Sequence, residues 1–193
     1  MVFAGVTRAP NMAPPICLIR RAAEPDLPAI AAIHLASWQD AYQGVVPDAV
    51  LRGRSIADCL AGWRATFAAH AANITIAASN DGRIHGFCCA GPVVDTDRNA
   101  PFEFEVYGLH VAPTSRRNGI GARLLHQALA RAREQEGSST AIVWTLADLA
   151  LSRRFYEREG GKPVKSGIFL LDGIALPEVA YGWTSLGRFA AGD

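Results

Sequence analysis

The stretch EVYGLHVAPTSRRNGIGARLLHQALARARE, from Glu105 to Glu134, predicts a strand, a tight turn, a basic loop with glycines and a long helix. The first N–H groups of a helix lack intrahelical acceptors and carry partial positive charge, so they attract anions. Gly119 and Gly121 let the backbone approach a phosphate, and Arg116 and Arg117 add guanidinium donors. The spacing predicts a pyrophosphate site, although a basic turn capping a surface helix is the alternative.

Two other phosphate motifs are excluded by their spacing. No stretch supplies the Gly-x-x-x-x-Gly-Lys-Ser/Thr of a P-loop. A dinucleotide fingerprint needs a third glycine after Gly119 and Gly121, and that position is Leu124. The loop therefore matches neither of these two phosphate motifs.

Composition indicates an ordinary globular protein of 193 residues, 50% of them hydrophobic and 19% charged. A net charge of +1 gives no broad basic field, so we predict no nucleic-acid partner. No apolar run reaches the ~18 residues of a membrane span, so no membrane partner is expected. The four cysteines form no Cys-x-x-Cys pair, which favours free thiols in a reducing cytoplasm and no bound metal.

Domain organisation is read from composition. Residues 1–15, rich in Ala and Pro, predict a disordered N-terminal tail, and either Met1 or Met12 could be the start. One domain is expected over 16–184, followed by a C-terminal tail over 185–193.

Periodicity and turn residues predict the elements of this domain. Strands are expected at 16–21, 73–78, 83–90, 102–111, 140–146, 162–171 and 175–184, and helices at 25–42, 47–70 in two pieces, 119–135 and 149–159. The predicted fold class is α/β (mixed α+β). It has a mostly antiparallel sheet of six to seven strands, about four helices and one strand–helix–strand crossover.

Four segments carry a resemblance to a known family: EVYGLHVAP, RRNGIG, WTLADLALSRRFYEREGG and SWQDAYQGVVPDAVL. Over residues 16–184 the chain resembles the GCN5-related N-acetyltransferases (GNAT). The resemblance implies a sheet splayed into a V between strands 102–111 and 140–146, with acetyl-CoA in the gap. It implies an N-acetyltransferase that acts on a primary amine of a small molecule or peptide, and it leaves a homodimer open.

The resemblance also implies which residues contact acetyl-CoA. Backbone groups of Leu109, His110 and Val111 would bind the pantetheine arm. The pyrophosphate would lie on the loop and the first helical turn, at Arg116, Arg117, Asn118, Gly119, Ile120, Gly121 and Ala122. The resemblance also implies an asparagine that hydrogen-bonds the cofactor arm, at the position where this chain has Leu149. That hydrogen bond is therefore either lost or moved to Asp148 or Ser152.

Two side chains match the family's catalytic positions. Glu105 is the candidate base for the amine, with Glu103 as the alternate base and a solvated strand carboxylate as the bland interpretation. Strict alternation would put Tyr107 and Leu109 on the face of Glu105 and point His110 away from it. Tyr156 is the candidate acid or hydrogen-bond donor to the sulfur, unless it only packs a helix on the sheet.

The sequence leaves open two other functions and the role of four aromatic residues. A non-catalytic module that binds acyl-CoA is favoured by Leu149 and opposed by Glu105 together with Tyr156. The other function is that of a protein-modifying enzyme acting on a macromolecular amine. Four aromatic residues either line an acceptor pocket or belong to the core: Trp38, Tyr42, Trp63 and Phe67.

Overall fold

A computed structural model describes residues 17–70 and 73–189. The predicted tail over 1–15 and residues 190–193 lie outside this range. The strands are β1 Cys17–Arg21, β2 Ile74–Ser79, β3 Ile84–Pro92, β4 Phe104–Val111, β5 Ala141–Leu146, β6 Lys162–Leu171 and β7 Ile174–Trp183. The helices are α1 Leu27–Ala41, α2 Asp48–Gly53, α3 Ile56–His70, α4 Thr96–Asn99, α5 Ile120–Gln135 and α6 Ala150–Arg158.

The seven strands form one sheet in the order β1-β2-β3-β4-β5-β7-β6. Within it β4 and β5 are parallel, and the other neighbouring pairs of described strands are antiparallel. A parallel pair needs a crossover, and α5 supplies it. This confirms the predicted mixed, mostly antiparallel architecture, with two short helices, α2 and α4, beyond the main ones.

The sheet opens between its two parallel strands. Pairing joins Phe104–Val106 of β4 to Ala141–Val143 of β5 and then stops. Both strands continue, β4 to Val111 and β5 to Leu146. The remaining edge of β4 therefore faces a gap, which is the predicted V.

A β-bulge interrupts β4 at Tyr107. Cys89 of β3 is paired with Gly108 and Ala90 with Val106, so Tyr107 is an extra residue without a partner on β3. The predicted strict alternation is therefore wrong beyond Val106. His110 returns to the face of Glu105, because the extra residue shifts the two-residue period by one.

The two faces of the sheet bury separate clusters. On one face α5 packs Ile120, Leu124 and Leu129 against the sheet. On the other face α1 and α3 cover a second cluster that contains Phe87 and Ile76. A third cluster joins the end of α1 and α2 to β5 and the β6–β7 hairpin: Trp38, Val46, Leu51, Leu146, Leu171 and Leu176.

The predicted division of the region over 47–70 into two helices is confirmed, and the packing at the C-terminal end differs from the sequence prediction. The helical region over 47–70 breaks at Arg54-Ser55, and Gly62 lies inside α3. Beyond β7, Leu186 and Phe189 are buried in the cluster under α5. The Arg133 guanidinium also donates to the carbonyl of Phe189 at 2.7 Å, so packing continues past residue 184.

Candidate active site

The loop between β4 and α5 has the backbone shape of an anion cradle. Arg117 and Gly119 adopt positive φ values of 67° and 74°. The backbone N–H groups of residues 117–119 find no acceptor within residues 17–70 and 73–189. Free N–H groups in such a loop, followed by a helix start, can converge on an anion.

A hydrogen-bonded histidine holds the base of this loop. Ser115 is buried, and its Oγ lies 2.9 Å from Nδ1 of His85. The other ring nitrogen of His85 lies 2.9 Å from Oγ of Ser79 on β2. The β4–α5 connection is thereby anchored to the β2–β3 hairpin before it reaches the glycines.

The two loop arginines differ in their partners. Arg116 forms an ion pair with Asp40 at the end of α1, which ties the loop to the first helix. Arg117 is exposed and forms no ion pair with a described residue. Arg117 is therefore the guanidinium that a bound phosphate can engage without displacing a carboxylate.

Gly121 brings α6 close to the loop. A Cβ added at Gly121 would lie 3.5 Å from the Phe155 ring and 3.6 Å from a methyl group of Val111. Ile120 is buried beneath the turn, and Ala122 is half-buried. The first turn of α5 thus sits between β4 and α6, at the end of the open edge.

Glu105 lies where the parallel pairing is about to end, opposite Ile142 of β5. Its Oε2 accepts a hydrogen bond from Nδ2 of Asn99 at 2.8 Å. Oδ1 of Asn99 accepts in turn from the Trp144 indole at 2.8 Å. Burial raises the pKa of Glu105 above its usual range, and Arg98 and the Asn99 bond oppose that shift.

Asn99 is itself fixed from several sides, and sequence reasoning missed it. It is 1% exposed and ends the one-turn helix α4, which Asp95 caps by accepting from the Arg98 N–H. The Arg98 guanidinium lies 4.2 Å above the Trp144 ring and 2.6 Å from Glu178. Asn99, in the connection between β3 and β4, is therefore a buried support for Glu105.

Glu103 has a different environment. Its Oε2 accepts from the Ser139 N–H at 2.6 Å, and its own N–H donates to Oγ1 of Thr140 at 3.1 Å. These bonds join the start of β4 to the start of β5. They engage the Glu103 carboxylate away from the open end of the V.

Tyr156 lies on the opposite face of the sheet from Glu105, in the cluster under α5. It is 7% exposed and packs against the rings of Phe155, Tyr181 and Trp183. Its hydroxyl makes no hydrogen bond with a described residue. Burial raises the pKa of Tyr156, so the phenol keeps its proton at neutral pH.

His110 lies on the Glu105 face, with one polar contact and two ring contacts. Its Nδ1 lies 2.8 Å from Oγ of Ser37, and its ring contacts those of His34 and Phe87. Burial first, then the charges of His34 and Arg116, lowers the pKa of His110 to about 3. His110 therefore stays neutral, which suits a backbone contributor better than a titrating base.

Leu149 and Ser152 occupy different surroundings at the start of α6. Leu149 is half-buried and packs on the third cluster beside Trp38 and Leu146. Ser152 is half-buried on α6 one turn before Phe155. Leu149 thus takes part in apolar packing.

Residues 17–70 and 73–189 contain no group of three or more His, Cys, Asp or Glu side chains that could hold a metal ion. No helix in 17–70 or 73–189 is long and apolar enough to cross a membrane.

A sequence model described as the acetyltransferase (GNAT) family matches residues 30–161. The chain is similar to the uncharacterized N-acetyltransferase YuaI of Bacillus subtilis, with 26% identity over 168 residues, 87% of this chain and 93% of that protein. Residues 30–161, which the family model matches, contain the loop, Glu105, Asn99 and Tyr156.

Solved structures share the fold. One is yncA, a candidate acetyltransferase from Salmonella typhimurium with its cofactor acetyl-CoA (TM-score 0.63, 21% identity, 92% of this chain and 98% of that chain). Another is the paia N-acetyltransferase of Thermoplasma acidophilum in complex with coenzyme A (TM-score 0.65, 17% identity, 86% and 99%). Both similarities are of fold.

Proposed function

The chain belongs to the GNAT family of acetyltransferases, and from that premise we propose that it moves the acetyl group of acetyl-CoA to a primary amine of a small molecule or peptide. The observation that carries the proposal is the end of β4–β5 pairing at Val106 and Val143, with the Arg116–Gly121 loop beyond the opened edge. An extended arm that ends in a pyrophosphate fits this combination of strand edge and anion cradle.

The binding residues follow from this arrangement. Leu109, His110 and Val111 supply backbone groups along the open edge for the amides of the pantetheine arm. The N–H groups from Arg117 through Ala122, with the Arg117 side chain, bind the pyrophosphate. The solved yncA and paia structures, which contain acetyl-CoA and coenzyme A, support use of this cofactor.

Acetyl-CoA supplies the thioester carbonyl. The chain must hold the acceptor amine in its neutral form and stabilise the leaving thiolate. A free ammonium has a pKa of ~10.4 and no lone pair, so a base is needed at neutral pH. Glu105, oriented by Asn99, takes that proton. Its raised pKa reduces the difference between its own pKa and that of the ammonium group. A backbone N–H at Leu109 polarises the carbonyl.

The two catalytic side chains flank the gap from opposite faces of the sheet. Glu105 lies on the face covered by α1 and α3, and Tyr156 lies with the α5 cluster on the other. In direct attack the amine adds to one face of the carbonyl, and collapse of the tetrahedral intermediate breaks the C–S bond while the proton shed by the nitrogen goes to the departing thiolate. Tyr156, whose pKa is raised by burial, serves mainly as a hydrogen-bond donor to that sulfur.

Thermal unfolding with acetyl-CoA tests the binding step. At 100 times Kd the stabilisation is ~2.7 kcal/mol, or roughly 5–10 °C for a domain of this size. Gly119→Ala strains a residue at φ 74°, and Gly82→Ala is its matched control, with φ 84° and equally open space in a distant turn. We expect similar Tm losses without ligand, and a loss of the acetyl-CoA shift in Gly119→Ala alone.

Turnover is tested by free-thiol release from acetyl-CoA with a panel of amines. Glu105→Gln should lower kcat/KM most at pH values below the amine pKa, because a base matters most when the amine is protonated. A loss that is equal at high pH would make Glu105 structural. Acetyl-CoA binding without transfer to any amine would instead favour a non-catalytic acyl-CoA-binding module.

A further inference from the structure

A pocket of about 310 Å³ lies between α1 and α3, on the same face of the sheet as Glu105. Its lining includes His34, Arg54, Asp58 and Trp63, with Cys59 and Thr66 at the side. The volume is that of a small-molecule site. Its polar groups therefore indicate which chemical class of ligand it can hold.

Arg54 brings the one guanidinium among the lining residues. It forms no ion pair with a described residue, whereas Arg52, two positions earlier, lies 3.0 Å from the Asp48 carboxylate. The Arg54 guanidinium carbon lies 4.6 Å from the centre of the Trp38 ring. Stacking occupies the flat face of a guanidinium and leaves its N–H edge available for two parallel bonds to a carboxylate.

The carboxylate in the same pocket is engaged elsewhere. Oδ2 of Asp58 accepts from the Ser55 hydroxyl at 2.6 Å, and the Asp58 N–H donates to the same hydroxyl oxygen at 3.1 Å. This reciprocal cap holds Asp58 at the start of α3. It leaves the positive charge of Arg54 without a close protein counter-ion.

His34 adds a neutral donor to the pocket. Its Nδ1 accepts from the Trp63 indole at 3.0 Å, so the ring proton is on Nε2. Burial first, then the charge of Arg54, lowers the pKa of His34, which keeps the ring neutral. A guanidinium edge and an imidazole N–H in one small pocket suit an anionic oxygen ligand.

We propose that Arg54 binds a carboxylate of the amine acceptor, so that the enzyme prefers amino acids or peptides with a free carboxyl group to simple amines. The inference rests on the proposed acetyl transfer. The His34 ring lies 4.8 Å from that of His110 on β4. His34 lines the pocket, so the pocket lies one ring contact away from the strand whose backbone borders the gap.

The test compares amino acids with their amides, which keep the amine and lose the carboxylate, and a short peptide with its C-terminal amide. Free-thiol release gives kcat/KM for each pair. We expect the carboxylate form to be preferred and Arg54→Gln to raise its KM about 10- to 100-fold, with little effect on the amide. Arg52→Gln, the matched control, should leave both unchanged.

The outcomes separate the two proposals. If Arg54→Gln lowers turnover of acid and amide equally, or if the amides are preferred, the carboxylate site is wrong although acetyl transfer stands. An acetyl-CoA thermal shift that is absent from the wild type overturns the proposed function itself. Preference confined to the free amino acid, or to the peptide acid, identifies which source of carboxylate the pocket takes.

Discussion

Replacing Asn99 by Ala should alter the pH dependence of catalysis without touching the cofactor loop. The Asn99 bond to Glu105 is 2.8 Å long and stabilises the ionised carboxylate. A hydrogen bond to a charged group contributes about 1.5–3 kcal/mol, and 1.36 kcal/mol corresponds to about one pKa unit. Because Glu105 is half-exposed, we take the lower end and expect its pKa to rise by about one unit.

The assay is kcat/KM for acetyl transfer from pH 5 to 9. The acid limb should move to higher pH by about one unit in Asn99→Ala, since Glu105 must be ionised to accept a proton. The variant should also lose stability, about 1–3 kcal/mol, because the Trp144 indole loses its acceptor. Trp144→Phe is the control that removes the indole donor while Asn99 can still bond to Glu105.

The pH profile and the stability loss can be told apart. In a Glu105→Gln background, Asn99→Ala should still lower Tm and should no longer move the acid limb. If the wild-type acid limb stays in place in Asn99→Ala while Tm falls, Asn99 only stabilises the fold. The assignment of Glu105 as the base then loses its main structural support.

Three other substitutions test separate parts of the site. Tyr156→Phe should leave the Kd for acetyl-CoA unchanged in calorimetry and lower kcat; an unchanged kcat with a lower Tm would mean that Tyr156 only packs. Leu149→Asn should cost about 1–3 kcal/mol in urea unfolding, because it places an amide in the third cluster, while acetyl-CoA binds unchanged or up to about 1.5 kcal/mol more tightly. Weakening of more than tenfold would place Leu149 against the cofactor. Burial lowers the pKa of His110 to about 3, against 6.5 in the unfolded chain, so its contribution to stability is present above pH 6.5 and lost as the pH falls toward 3. In His110→Asn the urea midpoint should therefore vary less with pH between 3 and 6.5. An unchanged variation would assign the acid sensitivity to other groups.

Much of the fold could be predicted because its signals are local. The apolar positions of α5 recur at helical spacing, and Gly119 with Gly121 marks its start. The single strand–helix–strand crossover follows from element order and connection length. These features depend on residues close together in the chain.

The support of Glu105 could not be predicted, because it depends on distant residues meeting. Asn99 accepts from Trp144, 45 positions later, and Arg98 reaches Glu178, 80 positions later. The face of His110 was predicted wrongly for a local reason. Gly108 inside a strand pattern is a signal for a bulge, and strict alternation ignores it.

The bulge at Tyr107 gives β4 one residue more than its pairing with β3 uses. Tyr107 is 41% exposed and its hydroxyl donates to the carbonyl of Pro92, so another side chain can occupy the position. Removing Tyr107 would leave Val106 opposite Ala90 and Gly108 opposite Cys89, so every later side chain, His110 included, would keep its face. In evolution and in engineering, this segment should therefore accept the loss of one residue, whereas the loss of a second would turn every later side chain over.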